Sequence, residues 1–175
     1  GAAGAISAEY LARKNSKTVC VIGSGTQALM QVHGLSHIFP LEQIRVYSRN
    51  FAALLKYKNN VETETHIPVT VCNTLDDAFK KADIVVTTTP SKKFIVPADL
   101  IRNGMHIIAV GADMAGKNEL DPKIFYKAKV VNDSISQCIS RGETRNALIS
   151  GYIKESDIYA EIGELITGKK PGRTS

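Results

Sequence analysis

Tryptophan is absent from this chain, and aromatic residues make up only 6% of its 175 residues. Long apolar runs are absent as well, since stretches such as residues 107–110 fall far short of the ~18 residues that a membrane-spanning helix needs. No signal-peptide pattern is present near Gly1. We therefore expect neither a membrane protein nor a secreted one.

Cysteine is also scarce. Cys20, Cys72 and Cys138 are widely spaced, lie in apolar segments and form no CxxC pair. This pattern argues against a zinc site and favours reduced core thiols in a reducing compartment such as the cytoplasm. His33 and His37 have a spacing that can chelate zinc, but no third ligand accompanies them, so we expect no metal site.

The formal charge of +5 raises the question of a nucleic-acid partner. The lysine doublets at residues 80–81, 92–93 and 169–170 are short, scattered and not interleaved with aromatic residues. Because no recognition motif accompanies them, we expect no nucleic acid to bind. A small anionic ligand needs only one or two of these charges.

Short β-branched runs alternate with helical patterns along the chain. Strands are predicted at residues 18–22, 44–48, 69–71, 84–88, 105–110 and 129–132. Helices are predicted at residues 1–12, 27–37, 51–57, 75–81, 97–102 and 157–167, the last with Ser156 as its N-cap. Because several strands are apolar on both faces, we predict an α/β fold, with a doubly wound, mainly parallel Rossmann-type sheet and helices on both faces.

The turn after the first strand has the composition of a dinucleotide-binding turn. It consists of Gly23-Ser24-Gly25-Thr26-Gln27-Ala28, here named the glycine turn (residues 23–28). Gly23 permits the tight turn, Gly25 lets the backbone approach a pyrophosphate, and Ala28 stands where helix and strand pack closely. The position between strand and helix favours this function over a glycine turn without a ligand.

The end of the second strand bears on which dinucleotide binds. NAD usually meets a carboxylate about twenty residues beyond the glycine turn, whereas this chain has Ser48, Arg49 and Asn50 there. Arg49 is suited to a 2′-phosphate, so we expect NADP(H) to be favoured over NAD(H), with these three residues at the cofactor. The alternative is an exposed arginine beside an asparagine that caps the next helix.

Two further strand ends complete the predicted cofactor site. Thr88, Thr89 and Pro90 follow the fourth strand, and Val110 and Gly111 end the fifth. Ligands of doubly wound sheets bind outside the carboxyl ends of the strands, so we predict cofactor contacts here, with the threonines beside the nicotinamide. For the threonine-rich segment, a simple turn is an equally good interpretation of the residue types.

Residues 111–121 have the sequence GADMAGKNELD. This stretch, together with the glycine turn, residues 1–12, Gly142-Glu143 and residues 163–173, resembles the ornithine cyclodeaminase/mu-crystallin family across essentially the whole chain. The resemblance implies an enzyme that moves hydride at the α-carbon of an amino or imino acid, with Asp113 as the catalytic aspartate. From residue types alone, Asp113 is equally a turn-forming residue.

The resemblance leaves several activities open. The leading expectation is an ornithine cyclodeaminase, which converts L-ornithine to L-proline and ammonia through an internal hydride cycle. An NADP-dependent ketimine or imino-acid reductase and an alanine dehydrogenase are alternatives within the family. A non-catalytic mu-crystallin-like binder of small molecules is the alternative from another class.

We expect residues 1–175 to be one NAD(P)-binding domain cut from a two-domain protein, since the chain starts at Gly1 within a predicted helix and ends in polar residues after Gly168. The resemblance implies that the missing region supplies a substrate-facing lysine, an arginine and the contacts of a homodimer. The isolated chain is therefore expected to bind cofactor and to be inactive.

Overall fold

The computed structural model describes residues 2–174, so Gly1 in the first predicted helix and Ser175 in the polar end lie outside the described part. The chain forms two compact units. The first comprises residues 2–88 and Arg102–Val110, and the second comprises Thr89–Ile101 and residues 111–174. No helix within residues 2–174 has both the length and the apolar composition needed to cross a bilayer.

The first unit is built on a five-stranded sheet in which every neighbouring pair is parallel. Its strands are β1 (Thr18–Ile22), β2 (Gln43–Tyr47), β3 (Val69–Val71), β4 (Ile84–Thr87) and β5 (His106–Ala109). Its helices are α1 (Ala2–Leu11), α2 (Thr26–Ser36), α3 (Phe51–Thr65) and α4 (Leu75–Phe79). The strand order is β3-β2-β1-β4-β5. The predicted Rossmann-type fold is confirmed.

Helices cover both faces of this sheet. Alternate residues of a strand face opposite sides, and Val21 of β1 shares one buried cluster with Leu35 of α2 and Leu54 of α3. Arg45 of β2 faces the other side, where its Nε donates a hydrogen bond to the backbone oxygen of Asp77 in α4 (2.8 Å). As expected for a central strand covered on both faces, β1 is buried along its whole length.

The helix α3 is longer than the sequence pattern predicts. The pattern ends at Tyr57, but the helix continues to Thr65 because Val61 extends the buried face by one turn. It ends at His66, which adopts the left-handed conformation with φ 57° and donates its backbone N–H to the backbone oxygen of Glu62.

The second unit contains short elements. They are a two-stranded parallel sheet of β6 (Val130–Asn132) and β7 (Ile158–Glu161), and the helices α5 (Ile135–Cys138), α6 (Gly142–Ile149) and α7 (Ile162–Ile166). Three 3₁₀ turns accompany them, at Ala98–Leu100, Pro122–Tyr126 and Glu155–Asp157. The helix predicted over residues 97–102 is thus only a 3₁₀ turn.

The prediction of one helix over residues 157–167 is wrong. Its first part is the strand β7, which pairs with β6, and only Ile162–Ile166 is helical, with Glu161 rather than Ser156 as its N-cap. The apolar spacing fits a helix, but pairing of Ile158 with Val130 overrides this local preference. The strand β6 consequently belongs to this small sheet and not to the large one.

The cysteines are free thiols, as predicted, but they do not all lie in the core. Cys20 and Cys72 are buried, whereas Cys138 at the end of α5 is only partly buried. Its thiol donates a hydrogen bond to Oδ1 of Asp133 (3.3 Å). Burial, with a contribution from the Asp133 carboxylate, raises the pKa of the Cys138 thiol to about 11.

Candidate functional site

Adjacent strands of the large sheet end at the same level. Ile22 of β1 pairs with Tyr47 of β2 and with Thr87 of β4, and Thr87 pairs with Ala109 of β5. The residues that follow these strand ends, in order across the sheet, are Ser48, Gly23, Thr88 and Val110. Because the chain leaves β1 and β4 in opposite directions across the sheet, the edge between them is a topological switch point, where such folds bind ligands.

Gly23 occupies a turn that only glycine fits. Its φ is 118°, and its N–H donates a hydrogen bond to the backbone oxygen of Tyr47 (2.9 Å). A Cβ at this position would lie 2.5 Å from Oγ1 of Thr88. That hydroxyl donates to the backbone oxygen of Ile22 (3.3 Å), so the ends of β1 and β4 leave no room for a side chain.

Gly25, unlike Gly23, lies beside open space. It is the N-cap of α2 and has an extended backbone, and no side chain caps this helix end. A Cβ at Gly25 would meet nothing within 4 Å. Thr26 and Gln27 are exposed, whereas Ala28 is fully buried. The first N–H groups of α2 thus border an open space above a tightly packed helix, which suits an anion such as a pyrophosphate.

In the segment after β2, residues 48–50, some polar side chains form hydrogen bonds within the protein and one is exposed to solvent. Oδ1 of Asn50 accepts a hydrogen bond from the N–H of Ala53 (3.1 Å) and so caps α3, and the N–H of Asn50 donates to Oγ of Ser48 (3.4 Å). Arg49 is exposed, and its guanidinium has no hydrogen bond or ion pair within residues 2–174. Of the three predicted contacts, Arg49 is therefore the one whose side chain is available to a ligand.

In the second unit, one carboxylate joins the loops that begin at Thr89 and at Gly111. Oε1 of Glu119 accepts hydrogen bonds from the N–H and the hydroxyl of Thr89, the latter at 2.8 Å. Oε2 accepts a hydrogen bond from the N–H of Gly111 (2.8 Å). Glu119 is fully buried, whereas Pro90 is exposed. A Cβ at Gly111 would lie 2.3 Å from the backbone oxygen of Thr89, so this close approach requires glycine.

A second buried carboxylate supports the first. Oε1 of Glu143, in the first turn of α6, accepts a hydrogen bond from the N–H of Glu119 (2.6 Å), and Oε2 accepts one from the N–H of Leu120 (3.3 Å). Burial raises the pKa of Glu143 to about 7, and the nearby Glu119 carboxylate adds to this rise, while the two backbone hydrogen bonds oppose it.

Asp113 lies in the exposed part of the loop between Gly111 and Glu119. Its carboxylate forms an ion pair with Lys117, with 2.5 Å between Oδ1 and Nζ. The hydrogen bond from Lys117 lowers the pKa of Asp113. The loop therefore presents an ionised carboxylate to solvent.

A model of the ornithine cyclodeaminase/mu-crystallin family matches residues 1–175. The chain belongs to this family. The resemblance in the sequence is thereby confirmed.

Named relatives of the chain in this family are enzymes. An alanine dehydrogenase of Archaeoglobus fulgidus is 42% identical over 175 residues, which cover 100% of this chain and 53% of that protein. One similar structure is that of a Δ¹-pyrroline-2-carboxylate reductase of Thermococcus litoralis in complex with NADH and L-proline. Its TM-score is 0.95 at 30% sequence identity, and the match covers 99% of this chain and 54% of the reductase. The structure of an archaeal alanine dehydrogenase dimer with bound NAD has a TM-score of 0.93 at 42% identity, with coverage of 99% and 53%.

The family is thus enzymatic, and the chain spans about half the length of the relatives it matches.

Reasoning from residue types alone overlooked Lys117, Glu119 and Glu143. The ion pair of Lys117 with Asp113 had no sequence signal, because a spacing of four residues brings charges together on a helix and this segment is a loop. The roles of Glu119 and Glu143 had no signal either, since a glutamate is normally exposed and their partners are distant in sequence.

Proposed function

We propose that this chain is the nicotinamide-dinucleotide-binding part of an enzyme that transfers hydride at the α-carbon of a small amino or imino acid. The observation that carries the proposal is the pairing of Gly23 and Gly25 at the N-terminus of α2. Gly23 allows the turn, and Gly25 leaves the uncapped helix end open to a pyrophosphate. When bound, the nicotinamide supplies the hydride acceptor and donor.

The proposal assigns different parts of the cofactor to different residues of this chain. Ser24, Thr26 and Gln27 extend the backbone cradle around the pyrophosphate, and Ser48, Arg49 and Asn50 lie at the adenosine ribose. Thr88, Thr89, Pro90, Val110 and Gly111 are the proposed contacts beyond the ends of β4 and β5.

The cofactor specificity we propose is NADP(H) over NAD(H). Support comes from Arg49, which is exposed and lacks a protein partner within residues 2–174, and from the absence of a carboxylate at the end of β2. An unpaired guanidinium forms strong forked hydrogen bonds with a phosphate. The related archaeal alanine dehydrogenase was solved with NAD, so the test must compare both cofactors.

Asp113 is the proposed proton-transferring residue. Its carboxylate is mostly exposed, and the hydrogen bond from Lys117 lowers its pKa. In the proposed reaction it accepts a proton from the substrate nitrogen on oxidation and returns one on reduction. Asp113→Asn keeps the size and the hydrogen-bonding capacity of the side chain but removes the basic oxygen.

The candidate activities differ in whether the reaction produces a net oxidation or reduction of the substrate. The names of the related alanine dehydrogenase and pyrroline-2-carboxylate reductase favour a net oxidation or reduction. Ornithine cyclodeamination, which the sequence suggests, is the alternative in which the hydride returns to the same substrate. A small-molecule binder of the mu-crystallin type gives no turnover at all.

The deciding experiment uses the full-length protein. L-alanine, L-proline and L-ornithine are each offered with NAD⁺ and NADP⁺, and the cyclic imino acid Δ¹-pyrroline-2-carboxylate is offered with NADH and NADPH. We expect a net change in nicotinamide absorbance with a small amino acid or with the imino acid, and a loss of about 10²- to 10⁴-fold in kcat for Asp113→Asn with unchanged cofactor affinity. Ammonia and proline released from L-ornithine without a net absorbance change assign cyclodeamination instead. Cofactor binding without turnover of any amino or imino acid assigns the binder. Sedimentation of the same protein tests the homodimer that we propose for it.

A further inference from the structure

We propose that Glu119 is a positioning residue of the proposed reaction, which sets the backbone positions of Thr89 and Gly111 and thereby the start of the loop that carries Asp113. The inference rests on the proposed function, because it takes Thr89 and Gly111 as cofactor contacts and Asp113 as the proton-transferring residue. The geometry that carries it lies wholly within the second unit.

The backbone of Glu119 is held from two sides. Its oxygen accepts hydrogen bonds from the N–H of Ile95 (2.8 Å) and the N–H of Val96 (2.9 Å). Its own N–H donates to Oε1 of Glu143 (2.6 Å), and the next residue, Leu120, pairs with Val96 in an isolated parallel bridge. Glu119 is thus a fixed point and not a mobile loop residue.

The side chain of Glu119 uses both carboxylate oxygens on the two loops. Oε1 accepts from Thr89, through the N–H and the hydroxyl, and Oε2 accepts from the N–H of Gly111. One rigid carboxylate therefore determines how far apart these two backbone positions lie.

The close packing around Gly111 makes this distance sensitive to small changes. An added Cβ would lie 2.3 Å from the backbone oxygen of Thr89 and 2.5 Å from Oε2 of Glu119. The backbone of Gly111 therefore lies so close to Thr89 and Glu119 that a side chain here would have to push them apart. Because Asp113 is two residues beyond Gly111, a displaced Gly111 also displaces the proposed proton-transferring group.

A buried carboxylate with these hydrogen bonds also stabilises the fold, so its effect on the rate is what distinguishes a positioning role. The carboxylate spans two loops, and Thr89 and Gly111 are both predicted cofactor contacts. A misplacement of about 1 Å at a reacting centre can reduce turnover by about 10²-fold, so a group that fixes these loops acts on the rate.

The test compares Glu119→Gln with Glu161→Gln in the full-length protein. Glu161 is a matched control, because Oε1 of its carboxylate also accepts a backbone hydrogen bond, from Ile135 (2.7 Å), but it contacts neither loop. For Glu119→Gln we expect kcat per folded molecule to fall by about 10²-fold. The emission of bound reduced nicotinamide should change, and hydrogen exchange at the amides of Thr89 and Gly111 should accelerate. Glu161→Gln should leave all three unchanged.

A second variant keeps the proposal testable if Glu119→Gln does not fold. Thr89→Val removes only the hydroxyl donor at a partly buried position. If Glu119 couples the two loops, this variant should alter the exchange rate of the Gly111 amide. An unchanged Gly111 amide, or a Glu119→Gln protein whose kcat equals that of Glu161→Gln, overturns the positioning role. Lack of nicotinamide binding by the unmodified protein overturns the proposed function instead, while the exchange data still report on the loops.

Discussion

Lys117 anchors the ion pair that it forms with Asp113, and Asp113 is the more exposed partner. The Lys117 side chain is 20% exposed and the Asp113 side chain 65%. The backbone oxygen of Lys117 accepts a hydrogen bond from Nδ2 of Asn146 (2.8 Å), which fixes the lysine from the side of α6. Lys117 thus lowers the pKa of a carboxylate that remains exposed to solvent.

The substitution Lys117→Met should raise the pKa of Asp113, because the ammonium that favours its ionised form is removed. Asp113 then becomes protonated at higher pH, so the acid limb of kcat/KM against pH should move upward in the full-length protein. Lys80→Met, which breaks the ion pair of Lys80 with Asp77, is the matched control. An acid limb that does not move would show that Asp113 does not govern it.

Substitutions at Gly23 and Gly25 should differ in their effects on cofactor binding and on the free energy of unfolding. Gly25→Val should abolish cofactor binding and lower the free energy of unfolding by only about 1 kcal/mol, because the added side chain enters open space at the helix N-cap. Gly23→Ala should destabilise the fold by more than about 1–2 kcal/mol, since φ is 118° and the methyl group meets Thr88. Calorimetry with the cofactor and urea unfolding measure the two effects. Undiminished affinity in Gly25→Val would place the cofactor elsewhere.

The substitution Arg49→Ala should weaken the binding of NADPH about tenfold or more and leave NADH binding nearly unchanged, because one charged hydrogen bond to a phosphate is lost. Lys56→Ala, at an exposed position of α3, removes the same charge without touching the segment after β2. Titration calorimetry gives both dissociation constants. Equal affinities of the unmodified chain for NADH and NADPH would contradict the proposed preference.

Glu143 should make the protein less stable as pH rises. Its pKa is about 7 in the folded state against an ordinary value of 4.5, so its stabilising contribution is complete below pH 4.5 and is lost as the pH rises through 7. The shift corresponds to about 3 kcal/mol. In Glu143→Gln this pH dependence should disappear, and urea unfolding at several pH values measures it, with Glu161→Gln as the control. Parallel stability curves for Glu143→Gln and the unmodified chain would refute the assignment.

The local signals of the sequence were sufficient for the large sheet and for the glycine turn. The central strands β1 and β4 are short runs of buried residues, and β2 alternates between buried and partly buried residues. The residues from Gly23 to Ala28 follow one another directly, so neighbouring positions contain the information. The strand β7 was mistaken for helix because its pairing with β6 joins Ile158 to Val130, a contact that local periodicity does not encode.

The hydrogen bonds around Glu119 could not be predicted from the sequence either, because they also join residues that are distant along the chain. A buried glutamate is recognised by its partners, and those of Glu119 come from Thr89, Gly111 and, through the backbone, Glu143. Only folding brings these residues together. Asn50 differs, because its Oδ1 accepts a hydrogen bond from the N–H of Ala53 only three residues along the chain. Such a cap is a local signal, and the sequence predicts it as the alternative to a cofactor contact.

The hydrogen bond between Gly111 and Glu119 also closes the intervening segment into a loop with fixed ends. Asp113, Met114 and Gly116 are exposed in this loop, whereas its two ends are held by buried or tightly packed groups. The free energy of closing a loop rises only slowly with its length. We therefore expect a change in the length of this segment to cost little in folding free energy and to act mainly through the position of Asp113.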